Sequence, residues 1–487
     1  MTINYTEVAR LAYLTWLASE DAAEESWVRT LRDYAGGAHP VYLTERQQQF
    51  IGLKGKDAAH LYAHNLCSLV IATVVERLGV TGFAPKGARR GERIESPFIE
   101  AVDEWWEANR MDAGEDELYE AALRDGEAYI IVDWQDGQPY WAVNYRFDGT
   151  QGVKLHEDPS TGRPVFASKR WQTYDPLEPR NSGLTRMTLY FPDRVEKYIQ
   201  RREGDPIDNK VDGELMRLNW RTWRDRDDEP WPLPWVDSGG EPLGLAVIAF
   251  RNPGGSEIGD VVALQDALNK SDLDLVAAQD AAGFRILYVS GVEADFDKDG
   301  NEKVLTVEPS RLVRLTDAQA RLGAIDPADL TRMIATCTYW IESIGAQSRT
   351  PHYLLHAQTG DQPSGESLKQ QETGLVDKSR RKQKIFGNAW EDVLYLSRKL
   401  HDLYGDGELP EERIQTQWRS VRSRDEREVW DVAQAKQAAG VDQETTWIEA
   451  GYDADQVQLI KDRKEAERQA QGNLGELLLR GFEQGQM

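Results

Sequence analysis

The sequence predicts an α+β fold that is mainly helical. Residues 364–404 contain no proline and predict one long helix, because nothing in this run removes a backbone donor. Residues 256–282 carry apolar side chains with a period of about 3.6 residues, which predicts another long helix. Residues 138–223, in contrast, alternate short apolar runs with Gly, Pro and Asp turns, a pattern typical of antiparallel strands.

Composition limits the classes of protein to consider. The 487 residues are enough for two to four domains, and the hydrophobic content of 40% is enough for a large core. The 16 Trp and 18 Tyr argue against a disordered chain. The formal charge is −25, from 83 acidic and 58 basic residues, so most of the surface repels DNA. Tight, static DNA binding is therefore not expected, whereas weak sliding contact is compatible with this charge.

Two cysteines, Cys67 and Cys337, are too few for a disulfide framework, so a reducing compartment is expected. The sequence has no apolar run of about 18 residues, so no membrane span is expected. The first residues lack the basic start and the apolar stretch of a signal peptide. We therefore expect a protein that is cytosolic or assembles in the cytosol.

The first 255 residues combine helices with a strand-rich middle. Residues 126–133 predict a strand, and Asp136-Gly137 predicts the hairpin turn after it. Leu245 to Phe250 predicts a short buried strand. Helices are predicted over residues 6–34, 56–77, 97–109 and 114–125.

The predicted helix Ser256 to Ala282 is strongly acidic. Lys270 is its only basic residue, and its carboxylates are Glu257, Asp260, Asp266, Asp272, Asp274 and Asp280. Its apolar stripe comprises Val261, Leu264, Leu268 and Leu275. A helix with this excess of negative charge is expected to repel phosphates. A small strand-rich unit is predicted after it, over residues 284–323.

Residues 326–404 predict a helix, an exposed loop and a very long helix. The first helix runs from Asp326 to Gln347 and is broken by Pro351, and a polar loop follows from His352 to Pro363. The long helix has a polar first half and an apolar stripe in its second half, formed by Phe386, Ala389, Trp390, Val393, Ser397 and Leu400. This arrangement suits a part that projects a loop into open space. Residues 424–487 predict charged helices.

A basic run interrupts the acidic composition within the long helix. It comprises Lys378, Arg380, Arg381, Lys382 and Lys384. One interpretation is a solvated helix face. The other is contact with an acidic partner, either a neighbouring acidic subunit or a nucleic-acid backbone.

A partial calcium motif lies at residues 295–300. Asp295, Asp297 and Asp299 with Gly300 match the first half of an EF-hand loop, but Thr306 stands where the loop needs a bidentate Glu. The flanking sequences predict strands rather than helices. An acidic hairpin tip is therefore favoured over a calcium site.

The sequence contains no motif of a known catalytic class. Ser379 and Lys382 fit Ser-x-x-Lys, but the partner motifs of that class are absent. His60 and His64 are spaced as a metal pair, with no obvious third ligand. Serine-hydrolase, zinc-protease, nucleotide-binding and dinucleotide-binding signatures are also absent.

The order of these elements, together with local signatures, resembles the portal proteins of tailed bacteriophages, of the siphophage type found in actinobacterial phages. No single stretch is a catalytic fingerprint, and the specificity lies in order and spacing over almost the whole chain. The matching stretches are residues 34–39, 65–83, 122–129, 247–252, 256–258, 264–270 and 364–369.

The resemblance implies a portal fold with wing, stem, clip and crown. The implied boundaries are 1–255 for the α/β wing, 256–283 and 326–348 for the two stem helices, 284–325 for the clip, 349–363 for the tunnel loop, 364–420 for the long wing helix and its return strand, and 424–487 for the crown.

The resemblance also implies a structural function without catalytic residues, metal or cofactor. Such proteins form rings, typically of twelve copies, at one capsid vertex of the virion and are assembled in the host cytoplasm. The implied partners are double-stranded DNA in weak contact, the large terminase, a head–tail connector, and the major capsid and scaffolding proteins. The implied DNA-facing tunnel-loop residues are His352, Tyr353, His356, Gln358 and Thr359. The implied docking residues of the clip are Asp295, Asp297 and Asp299, and the basic run is the candidate subunit contact.

Two other classes of protein remain as alternatives. A metal-dependent hydrolase using Ca or Mg would need carboxylates that converge with a histidine, and no such cluster stands out. A calcium-stabilised adhesion or capsid-accessory protein would use the motif at 295–300. A large ring would support the portal interpretation, whereas a monomer would support an enzyme.

Overall fold

The structure is a computed structural model, and it describes residues 22–40, 64–87, 96–174, 177, 183–200, 220–226, 228–283, 287–290, 321–324, 329–355, 365–422, 426–450, 452, 457 and 459–464. Several predicted residues lie outside this part of the chain. They are His60, Asp295, Asp297, Asp299, His356, Gln358 and Thr359.

Helices and strands alternate irregularly along the described chain, so the predicted mixture of helix and strand is confirmed. The helices are α1 (Ala22–Ala35), α2 (Leu66–Val75), α3 (Pro97–Ala108), α4 (Met111–Asp125), α5 (Val262–Gly283), α6 (Leu330–Ser348), α7 (His352–Leu355), α8 (Gly365–Tyr404), α9 (Glu426–Ala438) and α10 (Gln443–Ala450). The strands are β1 (Val80–Pro85), β2 (Glu127–Gln135), β3 (Gln138–Tyr145), β4 (Gly152–Glu157), β5 (Pro164–Gln172), β6 (Thr185–Tyr190), β7 (Arg194–Gln200), β8 (Trp220–Thr222), β9 (Leu233–Pro234), β10 (Val247–Arg251), β11 (Leu287–Ser290), β12 (Arg321–Ala324) and β13 (Ile414–Trp418).

The chain divides into two compact units. The larger unit comprises residues 1–32, 71–257 and 364–487, and the smaller unit comprises residues 33–70 and 258–363. The sequence placed residues 33–70 with the first 255 residues as wing, whereas they fall in the smaller unit.

All the sheets of the larger unit are antiparallel. One has the order β10-β2-β3, another pairs β1 with β13, and the largest has the path β4-β5-β6-β7-β8 with β9 on β7. The predicted hairpin between β2 and β3 is confirmed, since Gln135 pairs with Gln138. Asp136 and Gly137 between them both have positive φ, at 51° and 83°, which a two-residue hairpin of this twist requires. The strand β13 pairs with β1, and it lies in the region 405–420 where the resemblance implies a return strand.

The second half of α8 lies in an aromatic core. Every residue of its predicted apolar stripe is buried, which confirms that prediction. The Tyr119 ring stacks on Phe386 at 5.3 Å between centroids, and Phe250 meets Trp390 edge-on at 5.1 Å. Each such side chain contributes about 1.5–3 kcal/mol on burial. This stripe therefore fixes α8 against α4 and β10.

A chain of hydrogen bonds crosses this aromatic core. Trp390 Nε1 donates to the Tyr119 hydroxyl at 2.7 Å, and that hydroxyl donates to Glu115 Oε2 at 3.0 Å. Glu115 also accepts from the backbone N–H of Val80 at 3.1 Å. Burial raises the pKa of Glu115 to about 7, although both of these donors favour the ionised form. The side chain thus ties the start of β1 to α4.

In the smaller unit, α5 packs against α6. Leu268, Leu273 and Ile344 are buried, and Trp340 Nε1 donates to Ser271 Oγ at 3.1 Å. Asp329 caps α6, since its side chain accepts the backbone N–H of Thr331 at 3.1 Å. This cap explains why the helix begins at Leu330, a few residues after the predicted start at Asp326.

The acidic helix α5 begins later than predicted. Residues 257–261 form turns, and the backbone N–H groups of both Val261 and Val262 donate to Ile258 O. The preceding Gly254 and Gly255 have φ values of 94° and 85°, a conformation that glycine adopts without strain. Glu257 and Asp260 therefore precede the helix, which keeps Asp266, Asp272, Asp274 and Asp280 against Lys270.

The predicted loop from His352 begins with one helical turn. Residues His352–Leu355 form α7, and Leu355 is buried. The backbone N–H of Leu354 donates to Pro351 O at 3.0 Å, so this turn starts at the proline that follows α6. The C-terminal region is helical where it is described, as the sequence predicted.

Candidate functional site

The carboxylates of the acidic helix α5 are held by groups of the smaller unit. Asp266 accepts from the Tyr34 hydroxyl at 2.6 Å, and Asp274 pairs with Lys270. Asp260, just before the helix, lies 3.5 Å from Gln347 Nε2. Neutral donors such as Tyr34 fix the position of a carboxylate without cancelling its charge. Because Glu257 and Asp260 precede the helix, α5 keeps three net negative charges instead of the five expected from the sequence.

Asp272 has a different environment from the other carboxylates of α5. Burial raises its pKa, whereas the Cys337 thiol and His64 favour its ionised form. His64 Nε2 lies 3.6 Å from Asp272 Oδ2, and the His64 side chain is exposed. Burial and the neighbouring carboxylate raise the pKa of Cys337 to about 11, so this thiol stays protonated at neutral pH.

A cluster in the larger unit corrects the prediction for three residues. Glu257 is not on an acidic helix face, because its carboxylate contacts Lys378 Nζ at 3.0 Å and also Lys382 Nζ. Lys382 also bonds Asn252 Oδ1, and the side chains of Lys382 and Glu257 are only 5% and 10% exposed. Lys378 and Lys382, predicted as contacts to another molecule, are thus engaged within their own chain.

Electrostatics shapes this cluster of Asn252, Glu257, Lys378 and Lys382, which we call the lysine–glutamate cluster. Burial raises the pKa of Glu257, but the two lysines outweigh it and hold that pKa below its ordinary value. For Lys382 the effect of burial is larger than that of the nearby carboxylate, so the pKa of Lys382 is lowered. Glu257 stays ionised, because its one carboxylate faces two ammonium groups.

The remaining residues of the basic run are exposed. They are Arg380, Arg381 and Lys384, and Arg380 lies 3.9 Å from Asp377 on the same helix. Exposed pairs of this kind contribute little to stability. These three side chains are compatible with both interpretations of the basic run, a solvated helix face and contact with an acidic partner.

A buried polar network of the smaller unit was not predicted. Gln265 Nε2 donates to His64 O at 2.7 Å and to Asn269 Oδ1 at 3.0 Å, and Gln265 Oε1 accepts from Leu66 N at 3.0 Å. Asn269 Nδ2 lies 3.0 Å from His39 Nδ1. Since an amide nitrogen can only donate, His39 Nδ1 accepts, and its Nε2–H donates to Tyr34 O at 2.9 Å. His39 is therefore a neutral structural residue.

This network joins three stretches that carry the family resemblance. It links residues 34–39, the start of α2 and the first half of α5. The sequence feature that could have indicated this network is a pair of amides, Gln265 and Asn269, spaced i, i+4 in an otherwise acidic helix. Leaving a buried amide unsatisfied costs about 1–3 kcal/mol, so each member of the network depends on the others.

A second unpredicted cluster surrounds Arg32 in the larger unit. Its guanidinium contacts Asp125 Oδ2 at 2.9 Å, Asp148 Oδ2 at 2.7 Å and Arg146 O at 2.7 Å. Arg124 also contacts Asp125 at 2.8 Å. The cluster fixes the C-terminal end of α4 where the chain turns at Gly126, inside another stretch of the resemblance.

The root of the predicted tunnel loop is well defined. Thr350 N donates to Gly345 O at 2.9 Å, and Ser348 Oγ bonds Thr350 Oγ1 at 2.9 Å. His352 Nε2 lies 3.6 Å from Glu342 Oε1. Tyr353 is half-buried, and the other three predicted loop residues lie outside the described part of the chain.

The clusters above hold elements in place. Within the described ranges, no group of three or more His, Cys, Asp or Glu residues is arranged to hold a metal ion. No helix in this part of the chain is long and apolar enough to span a membrane.

Comparison with known proteins identifies the class. A family model described as phage portal protein, SPP1 Gp6-like, matches residues 54–471. The chain therefore belongs to the SPP1 Gp6-like family of phage portal proteins. It is similar to the portal protein of Mycobacterium phage D29, with 23% identity over 401 residues that cover 78% of this chain and 73% of that protein. The portal protein of Mycobacterium phage L5 is 22% identical over 450 residues, covering 88% of this chain and 83% of that protein. The resemblance to actinobacterial-phage portal proteins is thus confirmed.

Proposed function

We propose that this chain assembles into a closed ring that forms the DNA channel at one capsid vertex, for packaging, retention and ejection of DNA. The observation that carries the proposal is the family match over residues 54–471. The net charge of −25 supports it, because a channel through which DNA slides must not bind DNA tightly. The acidic helix α5 would supply part of that repulsion.

The ring is proposed to hold twelve copies in the virion, after assembly in the host cytoplasm. Its role is structural rather than enzymatic, with no cofactor or metal. The proposed partners are the large terminase, a head–tail connector, and the major capsid and scaffolding proteins. We assign docking of the terminase and connector to the segment at 284–325. A ring that lacks residues 295–300 and still binds both proteins would show that this loop is not part of the docking surface.

The first test is the assembly state of the purified protein. We expect electron microscopy in negative stain to show rings with a central hole, and sedimentation to show a species many times heavier than the 55.2 kDa chain. Incubation at several concentrations controls for slow assembly. A protein that stays a single chain under all these conditions would contradict the proposed ring.

The tunnel loop gives a separate prediction. Residues 349–363 are proposed to form the narrowest point of the channel and to touch DNA weakly through neutral polar side chains. Replacing residues 356–362 by two glycines should leave rings intact, because the ordered root at Ser348 and Thr350 is retained. The same change should reduce the DNA retained in particles, measured as encapsidated DNA per particle. Unchanged DNA content would show that this loop is not a constriction.

A further inference from the structure

The exposed part of the basic run belongs to a larger positive surface. Gln383 Nε2 on α8 donates to Arg419 O at 3.0 Å, so the segment after β13 lies beside this turn of the helix. Arg419 and Arg422 in that segment are exposed. We call the surface that these cations form the basic patch, and its members are Arg380, Arg381, Lys384, Arg419 and Arg422. Since Gln383 and Arg419 are 36 positions apart, only the fold shows this surface.

The basic patch keeps its positive charge within the single chain. In the described part of the chain, the acidic groups that interact with it are Asp377, 3.9 Å from Arg380, and the buried Glu115, near Arg419. Two carboxylates do not neutralise five cations. Like charges four residues apart on a helix, such as those of Arg380 and Lys384, destabilise it. An anionic partner would therefore stabilise this part of α8.

The helix α3 carries the opposite charge on its exposed face. Four carboxylates spaced i, i+3, i+4 and i+7 share this face, and all four side chains are exposed. We call them the acidic stripe, and they are Glu100, Asp103, Glu104 and Glu107. The other face of α3 is buried through Phe98, Val102 and Trp105. Two pairs within the acidic stripe are four residues apart, so like charges also repel each other along α3.

The two surfaces match in charge and in extent. The acidic stripe extends over about 10 Å of helix, and the basic patch extends over about 6 Å of α8 and is continued by the segment after β13. Opposite charges arranged in this way favour association and select the partner. A contact between two copies accounts for both surfaces at once. A nucleic acid would account only for the basic patch, because the acidic stripe repels phosphates.

We propose that the basic patch of one copy of this chain docks on the acidic stripe of the next copy, with helix α8 against helix α3. The contact rests on the proposed ring. Both surfaces belong to the larger unit and lie on different helices. The contact is therefore heterologous, and a heterologous contact repeated around an axis closes a ring.

Charge reversal in the full-length protein tests this contact. Arg380→Glu with Arg381→Glu reverses part of the basic patch, and Glu104→Lys with Glu107→Lys reverses part of the acidic stripe. Each pair should lower the fraction of protein in rings by roughly tenfold or more, because like charges then face each other across the contact. All four side chains are exposed in the single chain, so both variants should fold, and circular dichroism verifies this.

Two combinations of these variants should restore the rings. The variant with all four substitutions has opposite charges at every contact and the net charge of wild type. An equimolar mixture of the two reversal variants should also form rings, because copies that alternate around the ring again place opposite charges together. A contact within one chain would be restored by the four substitutions but not by the mixture.

Negative-stain images at equal concentration measure the fraction of protein in rings. Arg224→Glu with Arg226→Glu is the matched control, because both side chains are exposed elsewhere and the change in net charge equals that of the basic-patch reversal. It should assemble like wild type. Rings that persist in both reversal variants, or a loss that the mixture does not restore, overturn this contact alone. Wild-type protein that stays a single chain overturns the ring and the contact together. If the basic-patch reversal keeps its rings but loses binding of a short double-stranded DNA, the patch binds phosphates and the contact is also overturned.

Discussion

Replacing Glu257 by Gln should lower the free energy of unfolding by about 3–5 kcal/mol, the usual cost of removing one partner of a buried ion pair. The substitution removes the carboxylate that faces two ammonium groups, those of Lys378 and Lys382. Both side chains have little access to water, so solvent cannot replace the lost carboxylate. Urea titration of the full-length protein measures the change.

The lysine–glutamate cluster also predicts an order of effects. Lys382→Met should cost less than Glu257→Gln, because Glu257 keeps Lys378 as a partner at 3.0 Å. The double variant should cost less than the sum of the two single variants. The reason is that it removes one of the two cations together with the carboxylate that they face. Lys384→Met is the matched control on the exposed face of α8 and should change stability by less than about 0.5 kcal/mol.

The pH dependence gives an independent check of the same cluster. The pKa of Glu257 in the folded protein lies below its ordinary value of 4.5. A lowered pKa means that the stabilisation is present above that ordinary value and is lost as the pH falls through the folded value. The difference in stability between wild type and Glu257→Gln should therefore shrink below about pH 4.5. A cost for Glu257→Gln no larger than that for Lys384→Met, at neutral pH, would contradict this account.

The sequence was sufficient where the physical signal is local. The absence of proline and a stripe from Phe386 to Leu400 predicted α8 as a helix of 40 residues. Asp136-Gly137 predicted the hairpin, because its left-handed backbone is a property of those two residues. Both signals need no knowledge of the rest of the chain.

The same reasoning failed where the partner is distant in the sequence. Glu257 fitted the start of an acidic helix, and only the fold shows that Lys378 and Lys382, more than 120 positions later, hold it elsewhere. His39 and Asn269 are 230 positions apart, so the local sequence around either residue could not predict their hydrogen bond. Charge counted along a helix therefore overestimated the acidity of α5.

Replacing Tyr339 by Asp should abolish ring assembly, and Ile334→Asp should weaken it. On α6 the residues Cys337 and Ile344 are buried, whereas Ile334 and Tyr339 are 52% and 57% exposed. Large apolar side chains that a single chain leaves open, on a helix proposed to belong to the stem, are natural contacts between neighbouring copies. An aspartate placed in such a contact buries an unpaired charge. A loss of about 2 kcal/mol per contact lowers each association constant by a factor of roughly 30, and a closed ring repeats that loss at every interface.

The matched control for this experiment is Thr331→Asp on the same helix. Thr331 is exposed and polar, and an aspartate in the first turn of a helix is favourable, so the variant should assemble like wild type. Sedimentation and negative-stain images at equal concentration measure the ring fraction, and circular dichroism verifies that each chain is folded. Tyr339 and Thr331 are both exposed in the single chain. A folded Tyr339→Asp protein that no longer forms rings would therefore place α6 at the subunit interface. Rings as abundant as those of Thr331→Asp would show that this face of α6 points away from neighbouring copies.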